Sequence, residues 1–525
     1  MRRVLLKLEN PVSLWMVYPL ACALVVIGAK CWMIGRYGSP TPFWDQWDAE
    51  GALLYPRYFD GTLRISDLVA AHNEHRILLT RLWSLLLLEL GGYWDPMLQM
   101  AANTLIFGAA VALFIAVVRP LLDRWSWLAF AMLSTAIFLL PFGWENTLAG
   151  FQSQWYFLLL FSIAGLAIVV DAKAFTPRWW LATLFLVLSF FSMAGGVLTM
   201  AAALAIGTVQ FAVGRRSGRR ELLALALLTA VTVVMVLYTP ILAYHAPLKA
   251  HSIGQFLRAL MDIVSWPAMP GRQPATVNLL RAIFMNAPAL LVSIHIAKLR
   301  PHLTDRRWLV PTLTGWTALQ VLAMAYGRAT GPLEPRYLDM YAILLLLNAV
   351  CVLYFVGLSR SSWMRRPIVL GPAVLWLVLA VIGATTQTIR LSIPGMGYFG
   401  VAERAATENV RTYLDTKDIH ALENKPTLYI PYPDPRRLAE VLSMPVVREL
   451  LPPALVGDAS AARAQQRGLA RFTGRAVEAI KNFALRWGIS LMPAGLILFA
   501  LGLWIQWRRS AGNFAPSSID QTKAG

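Results

Sequence analysis

Residues 97–118, MLQMAANTLIFGAAVALFIAVV, decide the fold class because they form a continuous stretch of 22 residues without one charged side chain. A helix of about 20 apolar residues is long enough to cross the hydrocarbon core of a bilayer. Similar stretches recur along the chain, and we count about twelve, at 12–34, 97–118, 126–142, 152–171, 178–193, 195–213, 222–243, 276–298, 307–326, 337–358, 367–389 and 488–507. The sequence therefore predicts an all-α polytopic membrane protein with about twelve transmembrane helices.

Composition agrees with a membrane protein. Of the 525 residues, 57% are hydrophobic and 14% are charged, whereas roughly 25% are charged in soluble domains. The net charge of +19 comes mostly from short loops, so membrane orientation and acidic lipids explain it better than a nucleic-acid partner. The three cysteines, Cys22, Cys31 and Cys351, lie in or beside apolar stretches without metal-type spacing and are interpreted as packing residues.

The basic residues predict the orientation. Alternate short loops are rich in Lys and Arg, beginning with Arg119 and Arg124 and ending with Arg508 and Arg509. By the positive-inside rule these loops face the cytoplasm, which puts both termini there in a bacterial-type inner membrane. Residues 1–389 then form a transmembrane module with an outward loop at 35–96, residues 390–487 face outward, and 488–525 hold the last helix and a cytoplasmic tail.

The outward segment 390–487 is predicted to be a small α/β or mixed unit. Thr427–Ile430 has the pattern of a short strand between prolines. Arginines at 463, 467, 471 and 475 recur every four residues, as on one side of a helix. We interpret this arginine stripe as part of a water-exposed helix beside the membrane, with lipid headgroups or an anionic glycan as alternative partners.

Three acids open the first outward loop, in the stretch Thr41-Pro-Phe-Trp-Asp-Gln-Trp-Asp-Ala-Glu50. Pro42 suits the first turn of a helix and Thr41 suits its cap, so Asp45 and Asp48 are expected on one face. Charged groups beside a bilayer are costly, which makes a dense cluster a candidate site. Asp45, Asp48 and Glu50 are the candidate catalytic acids, acting as a general base or as ligands of a divalent cation, and water-facing acids are the structural alternative.

A second polar cluster follows at His72-Asn-Glu74-His75-Arg76. On a helix, His72, His75 and Arg76 would share one face and could bind a phosphate, with Glu74 beside them. Zinc binding by the two imidazoles and purely structural hydrogen bonding are the alternatives. The next stretch, residues 77–90, is too short for a comfortable crossing and is predicted to be a helix in the membrane interface.

The order of these features resembles the C-type membrane glycosyltransferases, which include protein O-mannosyltransferases, oligosaccharyltransferases and the lipid A aminoarabinose transferase. The resemblance rests on the acids after the first span, Gly61-Thr-Leu63, the interfacial helix, and Leu90-Gly-Gly92 before the second span. Glu334-Pro-Arg336-Tyr337-Leu338, before the predicted tenth span, resembles an Arg-Tyr element of the same enzymes. The resemblance implies transfer of a sugar from a polyprenyl-phosphate donor at the outer face, with a loop acid as base or metal ligand.

Further substrate-binding candidates lie at the outward ends of other spans. Glu145 and Gln152 stand beside tryptophans and could bind sugar hydroxyls, although such positions are also typical of the aromatic belt. Arg328, Arg336 and Tyr337 flank the loop after the predicted ninth span and could hold the carrier phosphate. Arg258, His251 and Arg272 are weaker candidates for the same role.

The expected function is therefore transfer of a sugar from a polyprenyl-phosphate donor to a lipid, glycan or protein acceptor. Membrane lipids are the other expected partners. An O-antigen polymerase or ligase is one alternative, since these enzymes also combine about twelve spans with a large late outward loop. A flippase or other transporter of lipid-linked sugars is another, but it needs charges along a path through the spans, where the sequence has almost no acids.

Overall fold

The computed structural model describes residues 11–268, 274–359, 366–457 and 467–512. Within these ranges the chain is helical and contains no β-strand apart from an isolated bridge between His72 and His75. This agrees with the predicted all-α membrane fold. Arg272 and Arg463 lie outside the described residues.

The first half of the chain contains the longest packed helices and the first loop. Its helices are α1 (Pro11–Tyr37), α2 (Tyr55–Phe59), α3 (Ile65–Leu68), α4 (Leu78–Gly91), α5 (Pro96–Val117), α6 (Arg124–Leu139), α7 (Trp144–Thr147), α8 (Ser153–Val169), α9 (Pro177–Phe190), α10 (Gly196–Ala212) and α11 (Arg219–Tyr238). A π-helix, Trp47–Leu54, precedes α2. The predicted interfacial helix at 77–90 is confirmed as a helix, α4, which ends where Gly92 takes a left-handed conformation with φ of 87°.

The second half continues with α12 (Ile253–Ser265), α13 (Ala275–Leu299), α14 (Leu309–Gly327), α15 (Pro335–Ser359), α16 (Arg366–Gln387), α17 (Ile393–Thr416), α18 (Pro435–Ser443), α19 (Pro445–Leu450), α20 (Pro453–Val456), α21 (Ala470–Trp487) and α22 (Leu491–Gly512). A π-helical turn, Thr388–Ser392, joins α16 to α17 without a break. The proposed domain boundary at 389/390 thus falls inside a continuous helical run.

Eight helical runs among the described residues are long and apolar enough to cross a membrane. Each of the twelve predicted spans coincides with a helix, but twelve crossings are not confirmed. Three of the remaining helices, α6, α9 and α10, have only 16, 14 and 17 residues, and α14 is not among the eight. The turn between α9 and α10 is tight, because Gly196 packs so closely on the backbone of Ser189 and Phe190 that no larger side chain fits.

Helix α1 is central to the bundle. In its apolar stretch 72% of the residues are buried, against 17% in α11, which lies at the periphery. It packs against α5, α6 and α22, and Gly495 of α22 touches the carbonyl of Ala21 closely enough to exclude a side chain. We call the side on which α1 ends and α5 begins the cavity side.

The segment after α16 packs on the first loop. Trp47 and Trp94 form a buried cluster with Leu438, Val441 and Leu450, and the backbone N–H of Trp94 donates to the carbonyl of Leu450 at 2.8 Å. The predicted strand at Thr427–Ile430 is wrong, since Thr427–Tyr429 forms a 3-10 turn, and the described part of 390–487 is helical rather than α/β. A single short strand needs a partner for its backbone groups, and no described strand lies beside it.

Candidate functional site

A cavity of about 910 Å³ opens on the cavity side, between the first loop, the ends of α11 and α14, and the start of α15. Residues 432–434 of the late segment form part of its rim. Seven residues that the sequence singles out line this one cavity: Asp45, Glu74, His75, Gln152, Arg328, Arg336 and Tyr337. They come from four distant parts of the chain, so the fold brings together what the sequence shows only as scattered candidates.

Asp45 is the candidate acid that faces the cavity. Its side chain is 45% exposed, and its Oδ2 lies 3.4 Å from Nε2 of His72. Burial pushes the pKa of Asp45 upward, but the neighbouring His72, His75 and Arg336 outweigh this effect and leave the pKa below its ordinary value. Asp45 is therefore an ionised carboxylate at neutral pH on the wall of the cavity.

Asp48, unlike Asp45, is not among the residues that line the cavity. The chain enters a π-helix at Trp47, between the two acids. Asp48 instead accepts hydrogen bonds from the hydroxyl of Tyr432 and from Arg437, at 3.0 Å for the latter. Its role in the structure is to connect the first loop to the late segment.

Glu50 lies behind the cavity wall and is only 1% exposed. Its carboxylate accepts hydrogen bonds from Trp94 at 2.7 Å, from Gln46 and Gln99 at 3.0 Å each, and from the Ser84 hydroxyl. Burial raises the pKa of Glu50, and these hydrogen bonds oppose the rise without cancelling it. No space remains for a substrate, so Glu50 supports the loop from inside.

The His72 to Arg76 cluster is a tight turn rather than the predicted helix. His72 and His75 exchange two backbone hydrogen bonds, of 2.9 and 3.0 Å, and Asn73 between them has φ of 49°. Arg76 leaves the cluster: it donates to the carbonyl of Tyr238 at 2.8 Å and lies 3.7 Å from the centre of that ring. Asn tolerates the left-handed conformation, which makes the turn possible and removes Arg76 from the candidate phosphate site.

His75 is a neutral side chain on the cavity wall. Burial is the main reason that its pKa falls to about 4. Its Nδ1 accepts a hydrogen bond from the backbone N–H of Ala194 at 3.3 Å. The neutral ring therefore carries its proton on Nε2.

Glu74 joins two side chains from other parts of the chain. Its Oε1 accepts a hydrogen bond from Arg328, and its Oε2 lies 2.8 Å from Nδ1 of His245. Burial raises the pKa of Glu74, but His75 and Arg328 lower it more, and the net value is about 2. The ionised carboxylate thus holds Arg328 and the loop after α11 against the first loop.

Arg336 is the second cavity arginine, and it too has an acid beside it. Its Nε lies 3.9 Å from Oε2 of Glu145, and its backbone carbonyl accepts a hydrogen bond from Asn146 at 2.9 Å. Burial raises the pKa of Glu145 to about 7, while Arg336 opposes the rise. Tyr337 packs next to Trp155, with ring centres 5.8 Å apart, which adds an aromatic wall near Gln152.

Several lining residues were not predicted. Trp44, His245, Tyr432 and Asp434 face the cavity together with an apolar wall that includes Val197, Leu198, Val236 and Met324. Trp44 has φ of 47°, and its N–H donates to the carbonyl of Pro431 at 2.7 Å. An aromatic residue after Thr41-Pro-Phe was a visible signal for Trp44, whereas nothing local marks Tyr432 or His245. His251 and Arg258 are not among the residues that line the cavity.

Across the described ranges, no group of three or more His, Cys, Asp or Glu side chains is placed to hold a metal ion. The divalent cation therefore stays a prediction. Comparison with protein-family models, curated proteins and solved structures finds no match to this chain.

Proposed function

We propose that this protein is a membrane glycosyltransferase of the C type, which moves a sugar from a polyprenyl-phosphate donor to an acceptor at the outer face of the membrane. One observation carries the proposal. A single cavity combines an ionised carboxylate, Asp45, with two arginines, Arg328 and Arg336, beside an apolar wall.

The cavity suits a substrate that is polar at one end and apolar at the other. Val197, Leu198 and Val236 belong to membrane-type helices and offer apolar surface, while Gln152 and Gln154 offer amide groups beside Trp155. A polyprenyl-phosphate sugar has this division, since its chain is hydrocarbon and its sugar carries hydroxyls that amides can bind. Aromatic rings such as Trp155 pack well on a sugar face.

The arginines suit the phosphate. Guanidinium groups bind phosphate oxygens through paired N–H donors. Glu74 holds Arg328 and Glu145 lies beside Arg336, so both cations are positioned before a donor arrives. Negative charge that develops on the leaving phosphate would be stabilised by groups already in place.

Asp45 suits the role of general base. The acceptor oxygen attacks the anomeric carbon of the sugar, the bond from that carbon to the phosphate oxygen breaks, and polyprenyl phosphate leaves with the electron pair. Asp45 takes the proton of the acceptor hydroxyl. Because Arg336 lowers the pKa of Asp45, a phosphate that neutralises Arg336 would make Asp45 a stronger base when the donor is bound.

The orientation that we propose puts the cavity outside a bacterial-type inner membrane and both termini in the cytoplasm. The basic loops at Arg119, Arg178 and Arg219 support it. Polyprenyl-phosphate sugars would then reach the cavity from the outer leaflet.

The test uses the full-length protein in lipid nanodiscs with polyprenyl-phosphate pentoses and hexoses, and measures release of polyprenyl phosphate together with glycosylated product. We expect Asp45→Asn to lower the rate about 10²- to 10⁴-fold, the usual contribution of a general base. Asp48→Asn is the matched control, three positions away and bound to Tyr432 and Arg437 instead, and should retain most activity. Full activity of Asp45→Asn would refute this mechanism.

A transporter of lipid-linked sugars is the second candidate, because one observation favours it. Lys30 of α1 and Asp339 of α15 are both buried within apolar helices and interact electrostatically. Charged residues at such depth often mark a transport path. Movement of the intact donor across the bilayer without release of polyprenyl phosphate would favour this alternative.

A further inference from the structure

Helix α21 has two faces, and only one of them packs on the protein. Ala470, Gly474 and Lys481 are buried, and the hydroxyl of Thr473 donates to the carbonyl of Leu90 at 2.9 Å. Lys481 also donates to the carboxylate of Asp95 at 2.6 Å. These contacts fix the helix against the end of α4 and the start of α5.

The opposite face of α21 carries large apolar side chains without protein cover. Phe472 is 75% exposed, Ile480 67%, Phe483 64% and Trp487 51%. Their spacing of eight, three and four residues puts them in one stripe along the helix. Four large side chains in a continuous exposed stripe mark an interaction surface rather than ordinary water-facing surface.

Arginines flank this apolar stripe. Arg471, Arg475 and Arg486 are exposed, and the guanidinium of Arg471 lies 4.8 Å from the ring centre of Phe472. Arg467, which shares the four-residue spacing, is instead paired with Glu449. Of the arginines spaced four residues apart, only Arg471 and Arg475 therefore remain beside the apolar stripe. Together with Arg486 they form the basic edge of the exposed face.

Helices α21 and α22 form one helical run that is longer than the hydrocarbon core is thick. The run Ala470–Arg508 has 39 residues, which at about 1.5 Å per residue is nearly twice the thickness of that core. Helix α22 lies along α1, where Gly495 meets Ala21, and so makes the crossing. Helix α21 instead touches the cavity-side ends of α1 and α5, at Gly35 and Asp95.

We infer that the exposed face of α21 lies in the cavity-side leaflet of the bilayer and binds acidic phospholipids. Phe472, Ile480, Phe483 and Trp487 insert among the acyl chains, and Arg471, Arg475 and Arg486 hold the anionic headgroups. This assignment replaces the water-exposed helix expected from the sequence. It does not depend on the proposed glycosyltransferase function.

A lipid surface fits this face better than a protein partner does. The apolar stripe continues, after the three-residue turn Gly488–Ser490, into the exposed Leu496, Ile497 and Trp504 of α22. The neighbouring α4 also exposes Leu82 and Leu86. Apolar surface that is continuous with a membrane-spanning helix and bordered by arginines matches the boundary between acyl chains and headgroups.

The first experiment measures depth in the membrane with the full-length protein in nanodiscs. A fluorescent label on Phe483→Cys is compared with one on Lys425→Cys, an exposed position of the late segment; the native cysteines in the described ranges are buried. We expect nitroxide-labelled lipids to quench the label at 483 at least threefold more than at 425, and iodide to show the reverse. Iodide access at 483 equal to that at 425 would overturn the inference, as would shielding from both quenchers, which would indicate a protein partner.

The second experiment tests the headgroup preference. The protein is placed in nanodiscs that contain equal amounts of phosphatidylglycerol and phosphatidylcholine. It is then extracted, and the lipid that stays bound to it is measured. We expect phosphatidylglycerol to be enriched on the wild type, and the enrichment to fall at least threefold in Arg471→Gln/Arg475→Gln/Arg486→Gln. The control Lys425→Gln/Arg436→Gln/Arg448→Gln removes the same charge elsewhere and should keep the enrichment, so equal loss in both variants would refute a specific basic edge.

Discussion

Asp45 and Glu50 stand five positions apart in one acidic loop, yet the fold gives them opposite environments. Asp45 faces the cavity beside His72, and His72, His75 and Arg336 bring its pKa below the ordinary value despite partial burial. Glu50 is enclosed by four hydrogen-bond donors, and burial raises its pKa. Access to the cavity, rather than position in the motif, therefore separates a candidate base from a structural acid.

The two acids should differ most in their contribution to stability. We expect Glu50→Ala to lower the free energy of unfolding by about 3 kcal/mol or more, because Trp94, Gln46, Gln99 and Ser84 lose a buried acceptor. Asp45→Ala should cost less than about 1 kcal/mol, since its carboxylate is open to water. Thermal unfolding of both variants in nanodiscs provides the measurement, and equal losses would break the distinction.

A smaller effect is the pH dependence of stability, to which Glu145 contributes. The pKa of Glu145 is raised to about 7 in the folded state, whereas the ordinary pKa, which applies to the unfolded chain, is near 4.3. The folded state therefore binds the proton of Glu145 more tightly than the unfolded state does. The stability from this preference is present below about pH 4, and it is lost as the pH rises toward 7. The prediction is that wild type loses more stability than Glu145→Gln between pH 4.5 and 7, as measured by unfolding midpoints.

The matched comparison for this pH effect is Glu74, whose pKa is lowered to about 2. Its contribution has the opposite sign, because it is present above about pH 4 and lost as the pH falls toward 2. The unfolding midpoint of Glu74→Gln should therefore change with pH as that of the wild type does between pH 4.5 and 7. If the midpoint of Glu145→Gln also follows that of the wild type over this range, the pKa of Glu145 is not raised.

The helices were predictable because their signals are local. Long apolar stretches predicted α1, α5 and α15. A shorter stretch, interrupted by charged residues, predicted that α4 is a helix of a different kind. The number of crossings was less predictable, since α6, α9 and α10 are shorter than a full crossing. Thr427–Ile430 had strand composition but no strand to pair with, which composition alone does not reveal.

The cavity was predictable in part. Asp45, Glu74 and Arg336 were chosen for their chemistry, and the structure brings them to one cavity. The choice among the loop acids was not predictable, because Asp48 is bound by Tyr432 and Arg437, which lie nearly 400 residues later in the chain. Arg76 was misassigned for a similar reason, since one left-handed residue, Asn73, replaced the expected helix with a turn.

The most direct test of the proposed function is an experimental structure of the full-length protein with a polyprenyl-phosphate sugar bound in a nanodisc. We expect density for the phosphate within hydrogen-bonding distance of Arg328 or Arg336. The sugar should lie between the phosphate and Asp45, and the hydrocarbon chain along Val197, Leu198 and Val236. A phosphate bound outside this cavity, or a sugar out of reach of Asp45, would contradict the proposed function.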